Sequence, residues 1–194
     1  MSSGRAPFAA LDDILSQTQH LLISFDGPVC SLYAGTPKPH ITDRLREIIA
    51  MKGVGVPKTI EDTDNWLEIL SYAASVNLDL AARVESELTA VESAAVTTAA
   101  PTPYVHEVLT ACRDSARPVA IISNHSAAAV RAYLVLHDLY GQIRLISART
   151  GPRSPEVVLW LGLNAWLRRD VVGDGAVVAG DGWRLGVDLV DEQG

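Results

Sequence analysis

Positive charge is scarce in this sequence and is nowhere concentrated. The chain holds 16 lysines and arginines against 23 aspartates and glutamates, so its formal net charge is −7. Surfaces that bind nucleic acid gather Lys and Arg on one face, because the phosphate backbone supplies much of the attraction. The sequence therefore argues against nucleic acid as a partner.

Long apolar runs and closely spaced cysteines are lacking as well. No stretch approaches the roughly 18 apolar residues that a membrane helix needs, and the first residues lack the apolar core of a signal peptide. The two cysteines, Cys30 and Cys112, lie far apart and show no metal-ligand spacing. We expect a soluble, cytoplasmic protein with no membrane partner, in which both thiols are reduced and packed.

The stretch Leu21–Cys30 is the feature around which the rest of the chain is arranged. Its apolar start reads as a buried strand, and Gly27 and Pro28 turn the chain immediately after Asp26. Such a short apolar run suits the centre of a parallel sheet, whose ligands sit beyond the carboxyl ends of the strands. This pattern places Asp26 for chemistry.

A helical segment follows, so the length of the chain is divided between a core and an insertion. A short helix over Pro7–Gln19 precedes the first strand, and Ser31–Pro39 reads as a loop. From Ile41 to Val96 the apolar residues recur at helical spacing, which predicts three or four helices. Candidate capping residues are Asp62, Thr63 or Asp64 before Trp66, and Asn77 or Asp79 for the next helix. We place the core at residues 1–36 and 100–194 and the helical insertion at 37–99.

Strands and helices alternate in the remainder of the chain. The predicted elements are a helix over Tyr104–Ala116, a strand over Pro118–Ile122, a helix over Ala127–Leu139, a strand over Gln142–Ile146, a helix over Pro155–Leu167 and a strand over Ala176–Ala179. The helix over Ala127–Leu139 has a candidate capping residue at Ser126 or Asn124. This alternation predicts an α/β fold with a parallel sheet covered on both faces.

Short polar residues stand at three predicted strand ends: Ser24 and Asp26, Ser123 and Asn124, and Asp181. Because parallel strands end at one edge of the sheet, these side chains are expected to form one site. Hydroxyl and amide groups beside carboxylates suit a small anionic substrate held with a divalent cation. The alternative is that these residues only begin turns and cap helices.

Four motifs in this order resemble the haloacid dehalogenase-like (HAD) superfamily, of the type with a helical cap. They are the strand ending in Phe25-Asp26-Gly27-Pro28-Val29, the helical insertion directly after it, the strand ending in Ser123-Asn124 and the strand ending in Gly180-Asp181. The resemblance implies a Rossmann-like core with a mobile cap. It also implies phosphoryl transfer with Mg²⁺ through an aspartyl intermediate.

The first motif departs from the family pattern at its nucleophile. The family has Asp-x-Asp, and the matching positions here are Ser24 and Asp26. Asp26 keeps the acid/base position, whereas the Ser24 hydroxyl is a weak nucleophile unless a neighbouring base removes its proton. One anionic metal ligand is lost with the nucleophile, so Mg²⁺ is expected to bind weakly, if at all, at Asp26 and Asp181.

The later motifs depart as well. No lysine follows Lys58, so the nearest stand-in for the family's phosphate-binding lysine is Arg153, with Arg149 behind it. Arg153 is also consistent with a solvated loop residue. His125 allows a Ser24–His125–Asp triad, against the alternatives that it lines the pocket or caps a helix. Leu185 stands where the family has a further carboxylate.

Three functions remain open on these residues. The first is a divergent enzyme of small-molecule biosynthesis, including secondary metabolism, that acts on a phosphorylated or other anionic metabolite without the aspartyl nucleophile. Asp26 would be its acid/base, and Ser123, Asn124 and Arg153 its anion ligands. The second is a degenerate HAD-fold helper subunit that completes a partner biosynthetic enzyme; the short sheet edge favours association with a partner or a second copy. The third is an ordinary phosphatase in which Ser24 is an engineered change.

Overall fold

A computed structural model describes residues 18–34, 38–152 and 176–179 of the chain. The elements in chain order are β1 (His20–Ser24), α1 (Lys38–Met51), α2 (Lys58–Glu61), α3 (Trp66–Val76), α4 (Leu78–Val96), α5 (Val105–Asp114), β2 (Val119–Ser126), α6 (Ala127–Leu136), a 3-10 turn (Tyr140–Gln142), β3 (Leu145–Arg149) and β4 (Ala176–Ala179). The predicted helices over Pro7–Gln19 and Pro155–Leu167 fall on or largely on residues outside these ranges.

The strands form a parallel sheet in the order β3-β2-β1-β4. Leu22 of β1 pairs with Ala120 of β2 on one side and with Val178 of β4 on the other. β1 is therefore an interior strand, and its apolar run is buried, as parallel sheets require. The predicted α/β architecture is confirmed.

Two apolar clusters lie on either side of the boundary between the core and the insertion. The first joins the sheet to α5, α6 and the last turn of α4, and includes Phe25, Ile121 and Tyr133. The second lies among the helices of the insertion and includes Leu45 and Leu70. The amphipathic insertion helices thus bury their apolar stripes mainly against each other.

The first helix of the insertion begins earlier than the sequence indicated. We expected a loop through Pro39, but α1 starts at Lys38. Proline is compatible with the first turn of a helix because the first N–H groups of a helix have no intrahelical acceptor. The described residues of the insertion form four helices, in agreement with the expected three or four.

Asparagine side chains cap α3 and α4. Asn65 Oδ1 accepts a hydrogen bond from Leu67 N at 3.0 Å, so the expected cap among residues 62–64 is wrong by one position. Asn77 Oδ1 accepts from Leu80 N at 2.8 Å, which confirms the cap of α4. Asn77 also ends α3, because its N–H donates to Ala73 O. One residue therefore sets the turn between the two helices, through its backbone N–H on one side and its side chain on the other.

Replacing Asn77 by alanine is expected to lower the free energy of unfolding by about 1 kcal/mol, since the Leu80 amide loses its acceptor. Asn77→Asp, which keeps an acceptor at the same place, is the matched control and should cost much less. Urea unfolding of the three proteins measures the difference. Equal stability of the alanine and aspartate variants would contradict the capping role.

The second and third strands differ from their predicted limits. β2 runs on to Ser126, beyond the predicted end at Ile122, with an irregularity in its pairing to β3 between Ser123 and Ser126. Its polar residues stay in the strand because the fold supplies partners for them, as described below. β3 begins at Leu145, because the 3-10 turn takes up the residues through Gln142.

Two backbone segments connect the core with the insertion and are bonded to each other. Gly27, with a φ of 94°, donates to Cys30 O at 2.7 Å. Thr102 N donates to Val29 O at 2.9 Å, and Thr102 Oγ1 donates to Gly27 O at 2.6 Å. We call residues 26–30 and 101–102 the neck. The chain thus enters and leaves the insertion through paired segments.

Both cysteines are buried and free, which confirms the expectation of packed thiols. Burial, with a smaller effect from Asp26, raises the pKa of the Cys30 thiol to about 12, so it stays protonated at neutral pH. Among the described helices, none is long and apolar enough to cross a membrane.

Candidate functional site

The end of β1 presents two polar side chains on either side of a buried ring. Ser24 is half-buried, Phe25 is fully buried and Asp26 is exposed. Asp26 Oδ1 accepts a hydrogen bond from Leu32 N at 3.2 Å, which holds the carboxylate at the start of the neck. Phe25 anchors this strand end because its ring packs edge-on against His125 and Tyr133.

The neighbouring strand brings Ser123 and Asn124 to the same edge of the sheet. Ser24 pairs with Ile122, so Ser123 lies one residue further along β2. The buried Ser123 Oγ accepts from His125 N at 3.0 Å. Asn124 Oδ1 is buried and has no hydrogen-bond partner among the described residues. The register and chain order thus place Ser24, Asp26, Ser123 and Asn124 at one edge of the sheet.

A buried ionic cluster lies next to these residues and joins the insertion to the core. It consists of Glu85 and Glu92 from α4, His125 from β2 and Arg149 from β3. Arg149 Nη2 donates to Glu92 Oε1 at 2.6 Å, Nη1 pairs with Glu85, and Nε donates to Asn124 O at 2.9 Å. Every nitrogen of the guanidinium therefore has an acceptor, as a buried charge requires.

Glu92 is the centre of the cluster and is 0% exposed. Besides Arg149, its carboxylate accepts from Ser126 N at 2.8 Å and lies 3.1 Å from His125 Nδ1. These partners belong to the core, whereas Glu92 belongs to the last helix before the return to the core. A side chain that the sequence analysis did not single out thus connects the two parts.

Aromatic rings close the cluster on the side of the insertion. The Trp66 ring stacks on His125 at 5.5 Å between centroids, and the Arg149 guanidinium lies 5.6 Å from the Trp66 ring centre. Trp66 is the first residue of α3, directly after its capping residue Asn65. Burial lowers the pKa of Arg149 to about 10, so the guanidinium remains charged at neutral pH.

Two candidate residues, Arg153 and Asp181, lie outside the described residues. Arg149, which the sequence placed behind Arg153, is the arginine that the structure locates at the strand ends. His125 has a glutamate as its acidic partner, and no hydrogen bond joins its ring to Ser24 within the described ranges. The arrangement expected of a Ser24–His125–Asp triad is therefore not the one found.

The donor set for a resident divalent cation is small. Within the described part of the chain, no group of three or more His, Cys, Asp or Glu side chains is arranged to hold a metal ion. Asp26 is the one predicted metal ligand located there, while Glu85 and Glu92 are bonded to Arg149. Mg²⁺ prefers an octahedral set of oxygen ligands that includes carboxylates. The described residues alone therefore fit a tightly bound Mg²⁺ poorly.

An open depression of about 690 Å³ lies beside the neck. Its lining residues are Gly27, Pro28, Ser31, Ala34, Ala100, Pro101, Thr102 and Pro103. No charged side chain is among them, so this depression offers an anion no counter-charge.

Comparison with known proteins identifies the fold. No protein-family model and no curated protein sequence matches the chain. Solved structures do match: a predicted phosphatase from Clostridium acetobutylicum (TM-score 0.56, 11% identity, 83% of this chain and 74% of that one); CbbY from Rhodobacter sphaeroides in complex with phosphate (0.52, 16%, 83% and 76%); and a haloacid dehalogenase-like hydrolase from Streptococcus pneumoniae (0.52, 15%, 86% and 77%). At such identities the likeness is one of fold. The chain therefore has the fold of the HAD-like superfamily, with a Rossmann-like parallel sheet and a helical insertion after its first strand.

Proposed function

We propose that this chain keeps the fold of HAD-like phosphatases but does not form an aspartyl-phosphate, and that it works by binding, as a helper subunit of a partner protein. The observation that carries the proposal is Ser24 at the nucleophile position. Its hydroxyl has no hydrogen-bonded base among the described residues, and His125 is turned to Glu92. A hydroxyl without a base is a weak nucleophile at neutral pH.

The pairing of the charged side chains at the strand ends supports the same proposal. Arg149 is the arginine located at this edge, and Glu85 and Glu92 already surround its guanidinium. An anionic substrate would have to displace a carboxylate that is hydrogen-bonded and buried, at the cost of desolvating further charge. Phosphate is therefore expected to bind more weakly at this position than in a phosphatase whose cationic side chain is not already paired with carboxylates.

The second candidate is a divergent hydrolase that acts on a phosphorylated or other anionic small molecule in biosynthesis. It is favoured by the exposed carboxylate of Asp26 at the strand ends, which would be the acid/base, and by the phosphate bound to the similar CbbY. Ser123, Asn124 and Arg153 would bind the anion, and Asp26 with Asp181 would hold Mg²⁺ weakly. Residues 37–99 would then be the cap that selects the substrate.

A phosphatase assay with Mg²⁺ separates the two candidates. We expect no hydrolysis of p-nitrophenyl phosphate or of a panel of sugar phosphates by the unmodified chain or by Ser24→Asp, because the one arginine that the described ranges place beside the new carboxylate, Arg149, is already paired. Asp26→Asn is the matched control. Turnover by the unmodified chain that Asp26→Asn abolishes would overturn the helper proposal in favour of the hydrolase.

Turnover that appears only in Ser24→Asp would show a pocket that is competent apart from its nucleophile, and would equally count against the charge argument. The helper role has its own test. A partner isolated with the chain from its source organism should lose activity when the chain is removed and regain it when the purified chain or its Asp26→Asn variant is added back. Failure of the variant to restore activity would point to chemistry at Asp26.

A further inference from the structure

Glu92 is a ligand in a site built by other parts of the chain. Its carboxylate receives the Ser126 amide, the Arg149 guanidinium and the His125 ring, and all three come from the core. A buried carboxylate with these partners is bound as a free oxoanion would be.

We propose that Ser126 N, His125 and Arg149 form a carboxylate-binding site whose resident ligand is Glu92, and that this contact fixes the insertion on the core. The site would accept a small free carboxylate once the Glu92 side chain is removed. This inference goes beyond the helper role and does not depend on it, because it concerns how the insertion is held.

The groups that bind Glu92 are held in place by contacts other than the one with Glu92. Ser126 precedes the ten-residue helix α6, whose N-terminus it caps by accepting from Ala129 N at 3.3 Å. The amide that it presents to Glu92 therefore belongs to a helix start, where N–H groups and the helix dipole favour an anion. The guanidinium supplies the full charge that a helix start alone lacks.

Arg149 has further contacts that keep it in place without Glu92. Its Nε donates to Asn124 O, Nη1 pairs with Glu85, and its plane lies against Trp66. His125 is likewise held between the rings of Phe25, Tyr33 and Trp66. Deleting the Glu92 carboxylate should therefore leave a preorganised cavity that a small anion can fill.

Opening the insertion would separate Glu92 from all of these partners at once. The neck provides the connection about which such an opening would turn, but the opening would break all of these charge-assisted hydrogen bonds together. The contact therefore keeps the insertion closed, unlike the mobile cap that the family resemblance implies.

Chemical rescue tests the site. Glu92→Ala is expected to melt at a lower temperature than the unmodified chain, and sodium formate should raise its melting temperature saturably above sodium chloride at equal ionic strength. The matched control is Glu87→Ala on the same helix, whose partner Arg44 lies at the surface. Formate should leave Glu87→Ala and the unmodified chain unchanged relative to chloride.

A formate shift of equal size in all three proteins, or none in Glu92→Ala, would overturn the proposal. If Glu92→Ala does not fold, Glu92→Gln keeps the side-chain volume while removing the charge. Hydrogen exchange of the Ser126 amide and of α4 should then be at least tenfold faster than in the unmodified chain. Unchanged exchange would contradict the role of Glu92, whatever the outcome of the phosphatase assay.

Discussion

Replacing Arg149 by methionine is expected to destabilise the protein by about 3–5 kcal/mol, because it leaves buried carboxylates without their counter-charge. Methionine approximates the aliphatic part of arginine, so the loss is chiefly that of the guanidinium. Arg149 is 1% exposed, and both of its carboxylate partners lie on α4. The effect should therefore appear both in the unfolding of the whole chain and in the attachment of the insertion.

Urea unfolding followed by circular dichroism measures this difference. Arg113→Met is the matched control, since Arg113 is exposed and pairs only with its neighbour Asp114 among the described residues; it should change stability by no more than about 0.5 kcal/mol. Combining Arg149→Met with Glu92→Gln should cost less than the sum of the two changes, because they share one interaction. A cost for Arg149→Met as small as that of the control would contradict the buried cluster.

Replacing Phe25 by alanine is expected to cost about 3–5 kcal/mol, the usual range when a fully buried aromatic side chain is truncated. Phe25 is 0% exposed. The centroid of its ring lies 5.3 Å from that of Tyr133 and 6.0 Å from that of His125, both in edge-on contacts. The truncation would leave a cavity beneath the candidate site and release the His125 ring from one side.

Phe25→Leu, which fills most of that space, is the control and should cost clearly less than the alanine variant. Thermal and urea unfolding should rank the proteins as unmodified, leucine variant, alanine variant in order of decreasing stability. An alanine variant as stable as the unmodified protein would mean that the ring contacts contribute little and that Phe25 does not hold this strand end.

The central strands and the insertion helices could be predicted because the sequence patterns that indicate them are local. An apolar run, a carboxylate and a Gly27-Pro28 turn suffice to identify β1, and the strand at Ala176–Ala179 and the helices of the insertion follow from spacing alone. Strand limits were less predictable. β2 continues through polar residues because Glu92 and Ser123 supply hydrogen-bond partners, which no single segment reveals.

The ionic cluster was missed because its members are distant in sequence. One signal was present, since Glu92 continues the apolar stripe of α4 after Leu80, Val84 and Leu88 at a spacing of four residues. A charged residue on the buried face of a helix requires a buried partner. The sequence could thus have indicated that Glu92 is paired, but it could not have chosen Arg149 over the other arginines.

The neck keeps changes in the loops of the insertion from reaching the sheet. Because Thr102 bonds to both Gly27 and Val29, the ends of the insertion are held side by side. The loops between the insertion helices can be lengthened or shortened, away from Trp66, Glu85 and Glu92, without altering the register of β1 against β2, because longer loops cost little further closure entropy. Divergence of those loops would then leave the sheet, and the strand ends that carry Ser24 and Asp26, undisturbed.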